Sequence, residues 1–202
     1  MKLYFFPGAC SLSPHIALRE AGLPFDLEQV DLKAKTTKSG ADYRAVNPKG
    51  SVPALGLDNG EVLTEAAVIV QYIADRKPEA KLLPAVGTMD RVRVQEWLNY
   101  VATEIHKGLG PLFNPNLPAE AKAIMKENLA ARFELLSKHL EKRSFLHGDA
   151  FTVADGYLFT VLGWTKWLEI DLGKWPVLAA YRERIENRPA VQAAMRVEGL
   201  LK

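Results

Sequence analysis

Residues 47–68 constrain this chain more than any other stretch. They read Asn47-Pro48-Lys49-Gly50-Ser51-Val52-Pro53-Ala54-Leu55, then Asp58-Asn59-Gly60, then Leu63-Thr64-Glu65-Ala66-Ala67-Val68. Pro53 has no N–H for a sheet ladder, so it belongs at a strand's first residue or on an edge, and it holds Val52 extended. A Val52 at a sheet edge has an N–H and a C=O with which an extended, peptide-like ligand can pair. Asn59-Gly60 is a strong hairpin signal. A helix opening after Thr64, at Glu65 and Ala66, exposes N–H groups that favour an anion such as a carboxylate. One edge and one helix mouth together suit a small peptide acid; a hairpin and helix that merely fold is the competing reading.

The 202 residues are enough for one large or two small domains, and 48% hydrophobic with 25% charged residues is the composition of a soluble globular protein. The 26 basic residues leave a net charge of only +2 and form no dense run, which argues against nucleic acid and membrane surfaces as partners. The apolar run Leu3-Tyr4-Phe5-Phe6 is too short for a signal peptide or a membrane span, so a cytoplasmic location is the expectation. A single cysteine, Cys10, excludes an internal disulfide framework, and no Cys/His spacing points to a metal.

Residues 2–6 read as a strand stopped by Pro7-Gly8, and Cys10 then precedes a helix carrying Ile16, Leu18 and Ala21 that stops at Gly22. Cys10 is thus expected at a helix mouth, where the N-terminal dipole favours a thiolate. A buried, inert thiol is the alternative. Residues 25–32 form a second strand, parallel to the first by the crossover rule, and residues 33–39 read as a polar loop. With the hairpin strands at 54–57 and 61–63 and a helix over 65–75, the order is β-α-β-α-β-β-α, that of a thioredoxin-like domain. The domains expected are residues 1–78, a linker at 79–88 and an all-α domain at 89–202. Its helices are expected over 89–109, 119–141, 153–168, 176–187 and from Ala190. In the first of these, Val94, Trp97, Leu98, Val101 and Ile105 share a core face, while Asn99, Thr103 and His106 lie roughly opposite. The helix from Val153 is apolar nearly all round, and Thr152-Val153-Ala154-Asp155 approximates a capping box.

Four motifs agree on one family: Pro-Gly-Ala-Cys-Ser-Leu-Ser-Pro at 7–14, Asn-Pro-Lys-Gly-Ser-Val-Pro at 47–53, Leu-Thr-Glu at 63–65 and Phe-Thr-Val-Ala-Asp at 151–155. Along its whole length the chain resembles a cytosolic glutathione S-transferase, and Cys10 with His106 resembles the bacterial beta class. The resemblance implies a cis Pro53, a glutathione site formed by Cys10, Lys35, Val52, Pro53, Glu65, Ala66, Asn99, Thr103, Glu104 and His106, and catalytic roles among Cys10, His106 and Ser11. Lys35 is then directed at the ligand's glycine carboxylate, and Thr103 and Glu104 at the cleft of the other subunit of a homodimer. Many members carry serine after the acidic residue; here Ala66 leaves only the backbone N–H for the γ-glutamyl carboxylate.

The activity implied is conjugation of reduced glutathione, a co-substrate and not a bound cofactor, to small hydrophobic electrophiles held by Phe6, Leu109, Leu112, Phe113 and Trp164. Donors near the sulfur and a helix N-terminus would stabilise the thiolate that the reaction needs. Cys10-Ser11-Leu12-Ser13 resembles a one-thiol version of a C-x-x-C motif, so glutathione-dependent thiol–disulfide exchange through Cys10 is a second enzymatic reading. A non-catalytic carrier of hydrophobic ligands is the third.

Overall fold

The computed structural model describes residues 1–202, which form two compact units: Met1–Leu83 with Arg188–Lys202, and Pro84–Asn187. The first unit contains β1 (Lys2–Phe5), α1 (Leu12–Glu20), β2 (Asp26–Asp31), β3 (Thr36–Thr37), α2 (Tyr43–Val46), β4 (Ala54–Gly56), β5 (Val62–Thr64) and α3 (Ala66–Arg76). The sheet order is β3-β2-β1-β4-β5, with β1 and β2 parallel and every other neighbouring pair antiparallel. The β4–β5 hairpin turns at Asn59-Gly60, where Gly60 takes φ +87°, a conformation that costs glycine little. This is the thioredoxin-like arrangement read from the element order.

Two details matter. The polar loop expected at 33–39 contains β3, placed by the Asp31 carboxylate, which accepts from the Lys33 and Ala34 N–H groups and turns the chain back. A two-residue strand is too short to show any periodicity. Of the two placements open to Pro53, an edge or the start of a strand, the structure takes the second: Val52 lies in a bend just before β4, and β4 is an interior strand between β1 and β5. Its backbone escapes the ladder because the strand has not yet begun.

α1 is buried almost throughout, from Leu12 to Leu18, because α3 and a C-terminal helix, α9 (Pro189–Val197), both pack against it. Sequence order had assigned α9 to the helical domain. Its apolar stripe Val191, Ala194 and Met195 is buried instead in the first unit, where Arg188 makes a bidentate pair with Glu20 at 2.6 and 2.9 Å. Adjacency in the chain says nothing about which apolar face a terminal helix will cover.

The second unit is helical: α4 (Met89–Tyr100), a π-helical stretch (Val101–His106), α5 (Lys107–Leu109), a 3-10 turn (Gly110–Phe113), α6 (Ala119–Leu140), α7 (Val153–Leu162) and α8 (Pro176–Glu186). No helix is long and apolar enough to cross a membrane. The continuous helix expected at 89–109 is interrupted by the π turns, whose extra residue per turn shifts the face of everything that follows. All ten residues of α7 are buried, and the helix gives way to a 3-10 turn at Gly163, short of the Leu168 expected; Trp167 beyond it is half exposed.

Asp155 fastens α7. Its Oδ1 accepts from Leu146 N–H and Tyr181 O–H, each at 2.8 Å, and its Oδ2 from Thr152 N–H at 2.8 Å and Thr152 O–H at 2.9 Å. Burial pushes the Asp155 carboxyl upward while these donors pull it back, and burial with the adjacent carboxylate holds the Tyr181 hydroxyl well above its ordinary range. Asp155→Ala would leave these donors buried and unpaired, so we expect a loss of about 3–5 kcal/mol, read as a large drop in the midpoint of chemical denaturation.

Candidate functional site

The loop between β1 and α1 presents the one thiol. Cys10 stands at the mouth of α1, its carbonyl accepting from both the N–H and the hydroxyl of Ser13. Its Sγ donates to the Val52 carbonyl at 3.2 Å, and the residue is 8% exposed. Ser11 is elsewhere engaged: fully buried, its hydroxyl donates to the Phe6 carbonyl and accepts from the Phe6 N–H, both at 3.2 Å. Both of these bonds close the loop on itself, so the Ser11 hydroxyl is engaged within the protein.

The same loop is held from below. Gly8, at φ +74°, donates its N–H to Glu198 Oε2 at 2.9 Å, and Glu198 Oε1 lies 2.8 Å from Nδ1 of the fully buried His15. Arg19 Nε donates to His15 Nε2 at 2.9 Å, so that nitrogen is the acceptor and Nδ1 carries the proton to Glu198. Neither His15 nor Glu198 was singled out from the sequence. His15 and Arg19 stand four residues apart on one helix face, but Glu198 is 183 residues from His15 and no local pattern points to it.

Opposite Cys10 runs the segment 47–53. The Val52–Pro53 peptide is cis, as the resemblance implied. The Val52 carbonyl is taken by Cys10. Asn47, almost fully buried, accepts from Lys49 N–H at 3.2 Å and donates to the Ser51 carbonyl at 2.7 Å, which also receives the Tyr43 hydroxyl at 2.8 Å. Burial lifts Tyr43 to about 12, with the Asn47 hydrogen bond opposing, so the phenol stays a donor at neutral pH. Lys35, at φ +58°, lays its stem along Gly50 and donates to the Gly50 carbonyl at 2.7 Å.

Glu65 immediately precedes α3 with φ +70° and ψ +116°, a strained conformation for a side-chain-bearing residue of the kind found at binding sites. Its own carbonyl takes the Val68 and Ile69 N–H groups, which leaves the N–H groups of Ala66 and Ala67 at the helix mouth. The carboxylate is exposed and meets Lys49 Nζ at 2.6 Å; the same Nζ lies 3.1 Å from Thr64 Oγ1. Lys49 was read only as part of a motif.

In the helical unit, His106 ends the π turns. Its Nδ1 lies 2.6 Å from the Tyr157 hydroxyl, and its ring packs edge-on against Trp164 at 4.8 Å, with Phe113 a further 5.8 Å from Trp164. Tyr157 was counted only as an apolar face of its helix. Asn99 and Thr103 are exposed, with the Thr103 hydroxyl returned to the Asn99 carbonyl at 3.0 Å, and Glu104 is paired with Arg132 at 2.7 Å. Leu109 and Leu112, expected to line an apolar site, are buried at 0% and 6% exposure: past the π turns these positions face the core. Phe6 and Phe113, at 39% and 47%, keep exposed aromatic surface, while Trp164 is buried behind Phe113 and His106.

A family model described as "Glutathione S-transferase, N-terminal domain" matches residues 8–76, and one described as "Glutathione S-transferase, C-terminal domain" matches residues 100–189. The chain is 47% identical over 200 residues to glutathione S-transferase GstA of Escherichia coli O157:H7, covering 99% of this chain and all of that relative. A sphingomonad glutathione S-transferase, solved in complex with glutathione, superimposes with a TM-score of 0.96 at 48% identity over 99% of this chain and all of the other. A bacterial beta-class glutathione S-transferase from Sphingomonas chungbukensis gives 0.96 at 47% identity, covering both chains fully.

The burial of Tyr43 carries a pH signature. Because the folded-state value of Tyr43 is raised from 10.0 to about 12, its contribution to stability is complete below pH 10 and is lost as pH rises through 12. Tyr43→Phe should cost about 1 kcal/mol at neutral pH. In denaturant titrations at pH 9–12 the difference between wild type and mutant should shrink and then change sign toward the alkaline end, because the buried phenol resists ionisation that phenylalanine never faces.

Proposed function

The chain belongs to the glutathione S-transferase family and sits with its bacterial beta class; it is an enzyme, and we propose that it conjugates reduced glutathione to small hydrophobic electrophiles. The observation that carries the reading is the pairing of two ligand-ready backbone positions in one unit: the Val52 N–H beside the Cys10 thiol, and the Ala66 and Ala67 N–H groups beside the Glu65 carboxylate. An extended γ-glutamyl tripeptide has an amide backbone for the first and an α-amino acid head for the second. Lys35 is assigned the glycine carboxylate. In the conjugation the glutathione sulfur forms a bond to the electrophilic carbon, the leaving group departs with its electron pair, and the thiol proton passes to solvent.

His106, braced by Tyr157 and Trp164, is assigned to the sulfur in place of Ser11, and the exposed aromatic surface of Phe113 to the electrophile. Asn99, Thr103 and Glu104 are assigned to glutathione in a homodimer. A cytoplasmic location accords with a lone cysteine and a reduced thiol co-substrate. The carrier reading is not favoured, because whole-length relatives are named as transferases.

Cys10 is assigned a second chemistry. With glutathione disulfide, its sulfur would displace one glutathione thiol and form a mixed disulfide with the other half, in a balanced exchange that needs no further oxidant. Intact-mass measurement should show one glutathionyl adduct per chain, removed by dithiothreitol and absent from Cys10→Ala. Cys10→Ala should keep a substantial part of the conjugation rate with an activated aryl halide and lose nearly all reduction of a glutathione mixed disulfide. Loss of both, with folding and glutathione affinity intact, would make Cys10 essential to both chemistries. Glu65→Ala should weaken glutathione binding by about 1.5–3 kcal/mol, roughly ten- to a hundredfold in Kd by calorimetry; an unchanged Kd in a folded mutant would remove Glu65 from the site.

A further inference from the structure

We propose that Lys49 is a specificity-determining residue of the γ-glutamyl end, where it and Glu65 together form a receptor for an α-amino acid zwitterion, and that Lys49 supplies the carboxylate contact that a hydroxyl at position 66 would otherwise give. The assignment rests on the glutathione reading above. An α-amino acid head carries an ammonium and a carboxylate on one carbon, so a site that accepts only the ammonium leaves the carboxylate to be compensated elsewhere. Glu65 answers the ammonium, and alanine at position 66 offers no side-chain donor. A cation stands at the start of α3: Lys49 Nζ lies 2.6 Å from Glu65 Oε1.

The geometry gives both partners spare capacity. Lys49 Nζ has three N–H groups, of which Glu65 Oε1 and Thr64 Oγ1 take two, and the third is left to join the Ala66 and Ala67 N–H groups in facing an anion. Glu65 uses Oε1 for Lys49 and keeps Oε2 for an ammonium. The pair is exposed, 55% and 65% by side chain, so as an ion pair alone it contributes little to stability. Its backbone supports are nevertheless fixed: Asn47 accepts from the Lys49 N–H and anchors the loop at Ser51, while Glu65 is held at positive φ where β5 passes into α3. Two opposite charges on two rigid supports match a zwitterion better than either charge alone, because each ligand charge meets its complement and neither is brought next to its like.

The competing role for Lys49 is that of an internal rival, occupying Glu65 until the ligand's ammonium displaces it. The two roles predict opposite signs. Calorimetry with glutathione and with its analogue bearing a 4-aminobutyryl group in place of γ-glutamyl, which lacks only the α-carboxylate, separates them. Lys49→Gln should raise the glutathione Kd roughly tenfold, steepest at low salt, and leave the analogue within about twofold of wild type. Lys49→Arg should stay close to wild type for both. Adding Ala66→Ser to Lys49→Gln should recover most of the lost affinity, whereas Ala66→Ser alone should gain little. Glutathione binding that is unchanged or tighter in Lys49→Gln would overturn the assignment in favour of the rival role, and equal weakening of glutathione and analogue would overturn it in favour of a purely structural one. Failure of the wild-type protein to bind glutathione at all would overturn the function reading, and this assignment with it.

Discussion

A helix covered on every side has to pair each polar atom it carries, and α1 is such a helix. Its cover by α3 and α9 leaves Ser11, Ser13 and His15 with no access to water. An unpaired buried polar group would cost on the order of 1–3 kcal/mol, comparable to a large fraction of the stability of a domain. The pairings that satisfy these groups converge on one short loop. Ser11 closes on Phe6, Ser13 on the Cys10 carbonyl, and His15 on Glu198, which in turn holds Gly8. The position of the Cys10 thiol is therefore a by-product of satisfying the core. The C-terminal helix is part of that arrangement, which gives it a physical reason to belong to the first unit.

Much of this was legible in the sequence, and the parts that were not share a cause. The Asn59-Gly60 hairpin, the helix stop at Gly22 and the pairing of Thr152 with Asp155 are local: the residues that form each feature lie within a few positions of one another. The docking of α9 on α1 and the pairing of His15 with Glu198 join residues far apart in the chain, and no periodicity encodes them. The placement of Val52 was left open for a different reason. Proline before an apolar run fits an edge strand and the entrance to an interior one equally well, and only the strand order separates the two. The burial of Leu109 and Leu112 was equally hidden, because it follows a π-helical stretch whose longer turn no sequence periodicity announces. The engagement of Ser11 was not legible either: a hydroxyl beside a thiol suggests chemistry, and its two bonds to the Phe6 backbone emerge only in the fold.

The charged groups of the site stand on supports that are themselves neutral and buried. Lys49 is exposed, but the Asn47 that fixes its backbone is buried, and the Ser51 carbonyl beyond it is held by both Asn47 and Tyr43. Glu65 is exposed, while Ala66, the next residue, is covered. This arrangement keeps the charges solvated, where their desolvation costs nothing, and puts the ordering cost into the folding of the core. A ligand then meets groups whose backbones no longer have to be immobilised on binding.

Such a site also tolerates substitution in a particular pattern. On the proposed reading Val52 and Ala66 meet the ligand through their N–H groups, and any residue other than proline keeps that donor, so the side chain can change without deleting the contact. What cannot change freely is the backbone path that aims the N–H, which depends on Pro53, on the conformation at Glu65 and on the Asn47 brace. Alanine at position 66 is intelligible on these terms: it gives up a hydroxyl but retains the amide, and a cation nearby on a separately braced loop can answer the same anion. Recognition is thereby divided between backbone donors, which the fold fixes, and a few exposed charges, which can be exchanged between neighbouring positions without disturbing the fold that holds them.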